Sequence, residues 1–299
     1  MSGRTVHGAI ILLVLGNFLA LLSDTLIKAQ GGDIPVFQFV FMRKACTLLM
    51  LLPLLRFVDF TQPLAGFAIH AIRAHLGLVG ITCMVIALNT LPLATANALF
   101  YAAPVLVMVL AVVFYGEKLT RLSLLAVISG FLGIVVMLRP MALNWESLTA
   151  LVTALSLAIS ALLVRKLPRH QHLIHTMLLI HVIALPGAAL LFLWEGAAWD
   201  WSMLPTALGS SFFILGYNMT VILAYRHVDA NQVTSAEYTG LIWAVLLGWV
   251  LFAEVPDLWF VAGAVMIVGP LFLLSLRERR AHLSRRRARL AAEATTHPT

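Results

Sequence analysis

The chain has 299 residues, 61% of them apolar and 11% charged, with a mean hydropathy of +0.97. Soluble domains are roughly 45–50% apolar and 25% charged, and 33 charged side chains could not disperse this much apolar surface in water, which excludes a water-soluble fold. The net charge of +7 does not indicate nucleic acid, because seven of the twenty Lys and Arg residues cluster between Arg277 and Arg289, directly after an apolar run, as membrane-flanking segments do.

Arg4 and His7 precede a long apolar stretch without a small-residue cleavage site, so the first segment is expected to be an uncleaved helix. Continuous apolar runs predict spans at 7–29, 35–57, 74–91, 94–116, 121–138, 145–164, 173–194, 203–224, 231–253 and 258–276, and then a basic tail, 277–299. Helices are expected because membrane strands would alternate over about ten residues instead.

Charged groups within spans are the strongest functional pointers, since each is costly in hydrocarbon. Asp24 in the first span and Arg43 in the second lie at depths that differ by roughly 5 Å by helix rise, so they are expected to pair or to serve an anionic substrate. Arg43 and Lys44 are adjacent and so point about 100° apart. The planar fork of Arg43 assigns it to the cavity, and Lys44 is directed to a neighbouring helix or the interface. Cys46 and Cys83 are read as packing residues.

The third span holds Asn89, and the fourth holds Tyr101 and Pro104 and closes on Glu117. Ser160 follows in the sixth. The run Arg169 to His172 with His175 brings imidazoles close together, but lacks a completing Cys or carboxylate; a solvated loop without metal is expected. His181 in the seventh span and Glu237 in the ninth have matching depths, which suits a proton-exchanging pair; with Asp24 and Lys44 they are the expected coupling or ion-pair groups. Arg43, Tyr101, Tyr238, Trp243, Asn89 and Asn218 form the expected substrate-binding set, with Tyr217 and Ser160 as further lining candidates. Glu117 and Glu254, which end the fourth and ninth spans, are read as loop-fixing carboxylates.

With a cytoplasmic N-terminus, sixteen Lys and Arg fall on the inner side against two, Lys28 and Arg139, on the outer side. The imbalance predicts both termini inside. The chain also repeats itself at an offset of 137: Ser23 meets Ser160, Lys28 meets Arg165, Lys44 meets His181, Tyr101 meets Tyr238 and Glu117 meets Glu254. Each half then holds five spans, an odd number, so the second enters the membrane inverted.

These features resemble the drug/metabolite transporter superfamily, in its ten-helix form with two EamA-type repeats. The resemblance is carried by Ala94 to Pro140, with Pro104, Gly116-Glu117-Lys118-Leu119, Gly130 and Gly133, and by Ala230 to Gly269, with Glu237-Tyr238, Ile242-Trp243-Ala244 and Phe252-Ala253-Glu254. It implies an all-α membrane protein of two inverted five-helix repeats, 1–140 and 141–276, with Pro104, Glu117 and Glu254 as fold signatures. It also implies a bacterial inner-membrane transporter of small metabolites that needs no cofactor. Pro270 and Ile267 stand where the first repeat has Gly133 and Gly130, which predicts a kinked tenth helix. Export of amino acids or amino-acid-derived compounds such as opine-type metallophores is the leading expectation. Uptake of a vitamin or nucleoside-type metabolite, of the riboflavin or S-adenosylmethionine class, is the alternative. Neither a P-loop nor an HExxH or GxSxG pattern occurs, so ATP-driven pumping and intramembrane hydrolysis lack support; a channel or membrane enzyme is the remaining class.

Overall fold

The computed structural model describes residues 6–31, 34–58, 61–116, 118, 120–138, 145–164, 166–168, 171–225, 236 and 238–296. Among the described residues the regular structure is entirely helical: α1 (Val6–Ala29), α2 (Val36–Leu51) running into a 3-10 turn (Leu52–Phe57), α3 (Phe67–Thr90), α4 (Leu93–Phe100), α5 (Ala103–Tyr115), α6 (Arg121–Leu138), α7 (Trp145–Val164), α8 (Leu173–Glu195), a 3-10 turn (Trp201–Met203), α9 (Leu204–Tyr225), α10 (Thr239–Phe252) and α11 (Leu258–Thr296). In lipid each backbone N–H must find its partner within the chain, and helices meet that demand locally. Seven of these segments are long and apolar enough to cross a membrane, α4 and α5 together counting as one, with shorter apolar helices at Thr239–Phe252 and Leu258–Leu273.

Three boundaries differ from the hydropathy reading. The third helix begins at Phe67, directly after Gly66 turns the chain at φ 74°, so Arg73 stands inside a helix rather than in a loop. Moving it leaves fifteen basic residues against two in the topology count (sixteen less Arg73). The fourth span is broken at Tyr101 and Ala102, where Pro104 has no N–H for the Phe100 carbonyl and a new helix starts. The last helix runs through Pro270 and on into the basic tail.

Lipid gives helices little hydrophobic reason to associate, so small residues that let backbones approach carry the packing. Ala150, Ala154 and Ala158, one every four residues along α7, are fully buried where α7 lies on α3. Gly133 of α6 and Gly263 of α11 meet back to back: a Cβ on Gly133 would stand 2.8 Å from the Gly263 carbonyl.

The helix contacts come in related pairs. α1 lies along α9 and α3 along α7, while α6 packs on α11 and α2 on α8. Residues 137 apart also touch directly. Ser129 Oγ donates to the Met266 carbonyl at 2.8 Å, and the rings of Tyr101 and Tyr238 lie 6.1 Å apart. Equivalent residues of two halves can meet only near a two-fold axis between them, so both contacts mark that axis.

One end of the bundle, here the Lys28 end, is tied by carboxylates. Glu195 of α8 accepts from the backbone N–H groups of Phe37 and Gln38, at 3.1 and 2.9 Å, at the start of α2. Beside it Asp200 accepts from Ser202 N and Oγ at 2.8 and 2.7 Å, and these bonds hold its carboxyl below the usual carboxylate range. At the opposite end the ties run through two histidines and an amide. His70 Nε2 lies 2.8 Å from Gln171 Oε1, Gln171 Nε2 donates to the Ala65 carbonyl at 3.2 Å, and His175 Nε2 donates to the Pro63 carbonyl at 3.0 Å.

Candidate functional site

Pairing of α2 with α8 and α9 brings the α2 cations against the face of α8 that carries His181. A cavity of about 150 Å³ lies there, lined by Arg43, Lys44, Thr47, Met177, His181 and Asn218 among others. Both α2 cations therefore reach one cavity, although the angle between neighbouring positions had sent Lys44 elsewhere. Long stems explain the difference: with α3, α8 and α9 all packed around α2, two side chains leaving at different angles converge on the same space.

Arg43 is built in firmly. Its Nη2 donates to Ser23 Oγ at 3.2 Å, while Ser211 Oγ and Thr47 Oγ1 lie 3.0 and 2.8 Å from its backbone carbonyl. Its Nε is buried with no partner among the described residues. Lys44 is equally buried, at 8% exposure. His181 Nδ1 donates to the Met177 carbonyl at 2.8 Å, which leaves Nε2 as the nitrogen free to exchange a proton.

Among the described residues Asp24 is the buried acid, and it lies within the field of Arg43. The expected closed Asp24–Arg43 pair is not formed: among the described residues the one ion pair within 4 Å is Lys28–Glu254, at 3.0 Å. The Asn97 side chain hydrogen-bonds Asp24 instead, a partner that hydropathy does not reveal because a neutral amide raises no signal in an apolar run. Glu237 and Glu117 lie outside the described residues, so the expected His181–Glu237 pairing rests on sequence.

The remaining candidates divide. Asn218 joins the cation cavity, and its Nδ2 also donates to the Ile214 carbonyl at 2.8 Å. Tyr101 lies instead at the α4–α5 break, Tyr238 just before α10 and Trp243 in its first turns. The Trp243 ring lies 4.9 Å from that of Phe18 at a tilt of 59°, its Nε1 buried with no partner among the described residues, and Asn17 Nδ2 donates to the Ala236 carbonyl at 3.1 Å. Gly240 gives the Tyr101 hydroxyl its room; a Cβ there would collide with it. Asn89 stands apart from both groups, its amide buried with neither atom partnered among the described residues. Ser160 accepts from Arg73 Nε at 3.3 Å, Tyr217 packs beside Gly16, and Pro104 opens α5. Glu254 does fix a chain start, accepting from Leu93 N at 2.7 Å. Of the described histidines in that run, His172 is exposed ahead of α8, where it stacks on Phe57 and accepts from Ile174 N, whereas His175 is not in the loop but in the first turn of α8, at 2% exposure.

The arrangement places two basic side chains and an imidazole around one small cavity, with one acidic side chain held to the side by an amide. Such an excess of buried positive charge is costly unless an anion joins it.

Comparison with known proteins matches residues 7–139 and 144–276 to the EamA-like transporter family, two copies in tandem. The pseudopaline exporter CntI of Pseudomonas aeruginosa strain UCBPP-PA14 is 26% identical, covering 90% of this chain and 96% of its own. The S-adenosylmethionine uptake transporter of Rickettsia bellii is 25% identical over 87% of this chain and 90% of its own. The riboflavin transporter of Brucella anthropi is 27% identical over 79% and 86%. A solved crystal structure with 19% identity covers 90% of this chain and 98% of its own, with a TM-score of 0.56, and so shares the fold.

Proposed function

Since the chain belongs to the EamA-like transporter family, we propose that it is a secondary transporter that moves small carboxylate-bearing metabolites by alternating access. In this reading ten spans form two inverted halves, 1–140 and 141–276, in a bacterial inner membrane, with both termini and the 277–299 tail in the cytoplasm. The observation that carries it is the cavity shared by Arg43 and Lys44. A substrate carboxylate there supplies the missing negative charge, and the Arg43 fork binds it with direction. Asp24, His181 and Glu237 are the groups available to couple proton movement to the cycle.

By analogy with the family the favoured cargo movement is export of amino acids or amino-acid-derived compounds, in line with one relative named a pseudopaline exporter. A second reading, uptake of a flat-ringed vitamin or nucleoside-type metabolite, is favoured by the two ring pairs Phe18–Trp243 and Tyr101–Tyr238. Relatives named for riboflavin and S-adenosylmethionine support it.

The test is transport in proteoliposomes by Arg43→Gln and Arg43→Lys. A charge-assisted hydrogen bond contributes about 1.5–3 kcal/mol, so Arg43→Gln should cut uptake of a labelled amino acid about 10-fold or more, with Arg43→Lys keeping a substantial part. Normal transport by both variants would remove Arg43 from the site.

A further inference from the structure

At the Lys28 end, the ammonium group of Lys28 sits in a cage. Nζ donates to Glu254 Oε1 at 3.0 Å, to the Leu91 carbonyl at 2.7 Å and to the Leu88 carbonyl at 3.3 Å, and it stands 5.3 Å from the centre of the Phe252 ring. The three N–H groups of a primary ammonium thus meet three oxygens, while the ring offers its negative face. These groups come from the ends of α3 and α10 and the segments that follow them, so the cage joins the two repeats. Glu254 Oε2 also caps α4 through Leu93 N at 2.7 Å. The lysine is on a flexible stem, and both members of the pair keep partial access to solvent, at 12% and 19% exposure.

The cage opens on a cavity of about 310 Å³ whose lining includes Leu91, Thr95, Ser147, Glu254 and Asp257. A molecule in that cavity faces the same carboxylate that Lys28 holds from the other side. We propose that this cage is a binding site for a primary ammonium group: Lys28 fills it while the Lys28 end is closed, and the ammonium group of the cargo replaces Lys28 as the cargo passes through the adjoining cavity. The idea rests on the reading of the cargo as amino-acid-like. It assigns the two ends of such a molecule to different places, the carboxylate to Arg43 and Lys44 and the ammonium to Glu254 and the Leu88 and Leu91 carbonyls.

The site is testable without transport. Lys28→Ala removes the tethered occupant and leaves the cage, and propylammonium restores the missing atoms. In full-length protein with Cys46→Ala, Cys83→Ala and Thr95→Cys, Lys28→Ala should speed modification of the cavity cysteine by a water-soluble thiol reagent. Saturating propylammonium should then slow it by about fivefold or more and raise the melting temperature of the variant, since a ligand stabilises the state it binds. Tetramethylammonium, with the same charge but no N–H donors, should do neither, and adding Glu254→Gln should abolish the propylammonium effect. The temperature shift reads binding even where Lys28→Ala weakens the fold. Equal effects of the two cations, or no effect of propylammonium on either readout, would overturn the site. Because neither readout involves Arg43, that failure leaves the carboxylate reading standing, and loss of the Arg43 result leaves the ammonium site standing.

Discussion

Asp24 is 4% exposed and has no cation within 4 Å among the described residues, so its carboxylate depends on Asn97 and on the more distant field of Arg43. Removing a partner from a buried polar group costs about 1–3 kcal/mol. Asn97→Ala should therefore lower the melting temperature in detergent, and Asp24→Asn should recover part of that loss in the double variant; independent, additive losses would show that the two side chains do not act together. Glu237 poses the coupling question from sequence. Glu237→Gln cannot ionise, so it should lose accumulation driven by a pH gradient while keeping exchange of labelled for unlabelled substrate. Unchanged accumulation with the parent's response to pH would shift the coupling role to Asp24. Charge in an apolar run is conspicuous, which is why Asp24, Arg43 and Lys44 stand out in the sequence. Asn97 and Ser23 do not, because their importance comes from what folds against them.

At the scale of the helix, α5 and α10 end alike. Gly116 closes α5 at φ 63°, and Ala253, 137 residues on, closes α10 at φ 53°. There Glu254 N donates to the Gly248 carbonyl at 3.0 Å and Ala253 N to the Trp249 carbonyl at 3.1 Å, a helix end that favours glycine. A left-handed alanine costs about 1–2 kcal/mol relative to its relaxed state, so Ala253→Gly should leave the fold intact and raise its thermal stability or leave it unchanged; a marked fall would mean that the alanine methyl is needed for packing. Gly133 is the opposite case. A Cβ there meets the Gly263 carbonyl, Met266 Cβ and Ile267 Cγ1 within 2.9 Å, and backbone cannot yield cheaply. Overpacking of this kind costs about 1–3 kcal/mol, and Gly133→Ala should show it as earlier thermal unfolding, with full stability refuting the close α6–α11 approach.

For the whole molecule, the basic-residue imbalance and the repeat lead to a topology that labelling can check. Single cysteines placed between Glu195 and Trp201, in a chain without Cys46 and Cys83, should react with an impermeant thiol reagent outside intact cells. Cysteines at Lys166 to Pro168 should stay protected until the membrane is opened. The reverse pattern would invert the molecule and with it the side on which the Lys28 cage lies.

Composition determined that lipid is the solvent, and the unbroken apolar runs that the chain is helical, because those follow from the transfer energy of apolar residues and the need to satisfy backbone groups locally. The offset of 137 likewise marked the pairs Tyr101 with Tyr238 and Lys28 with Arg165 as equivalent, since repetition is a property of order along the chain. Which side chains meet was decided only by tertiary structure. Lys28 finds Glu254 rather than a lipid headgroup, Arg43 and Lys44 share a cavity with His181, and the tyrosines meet at the axis rather than beside the cations. Each of those contacts joins residues far apart in sequence, and their distance depends on how helices cross and rotate against one another. Hydropathy records how deep a residue lies along its helix, but the direction it faces is set by the packing of its neighbours.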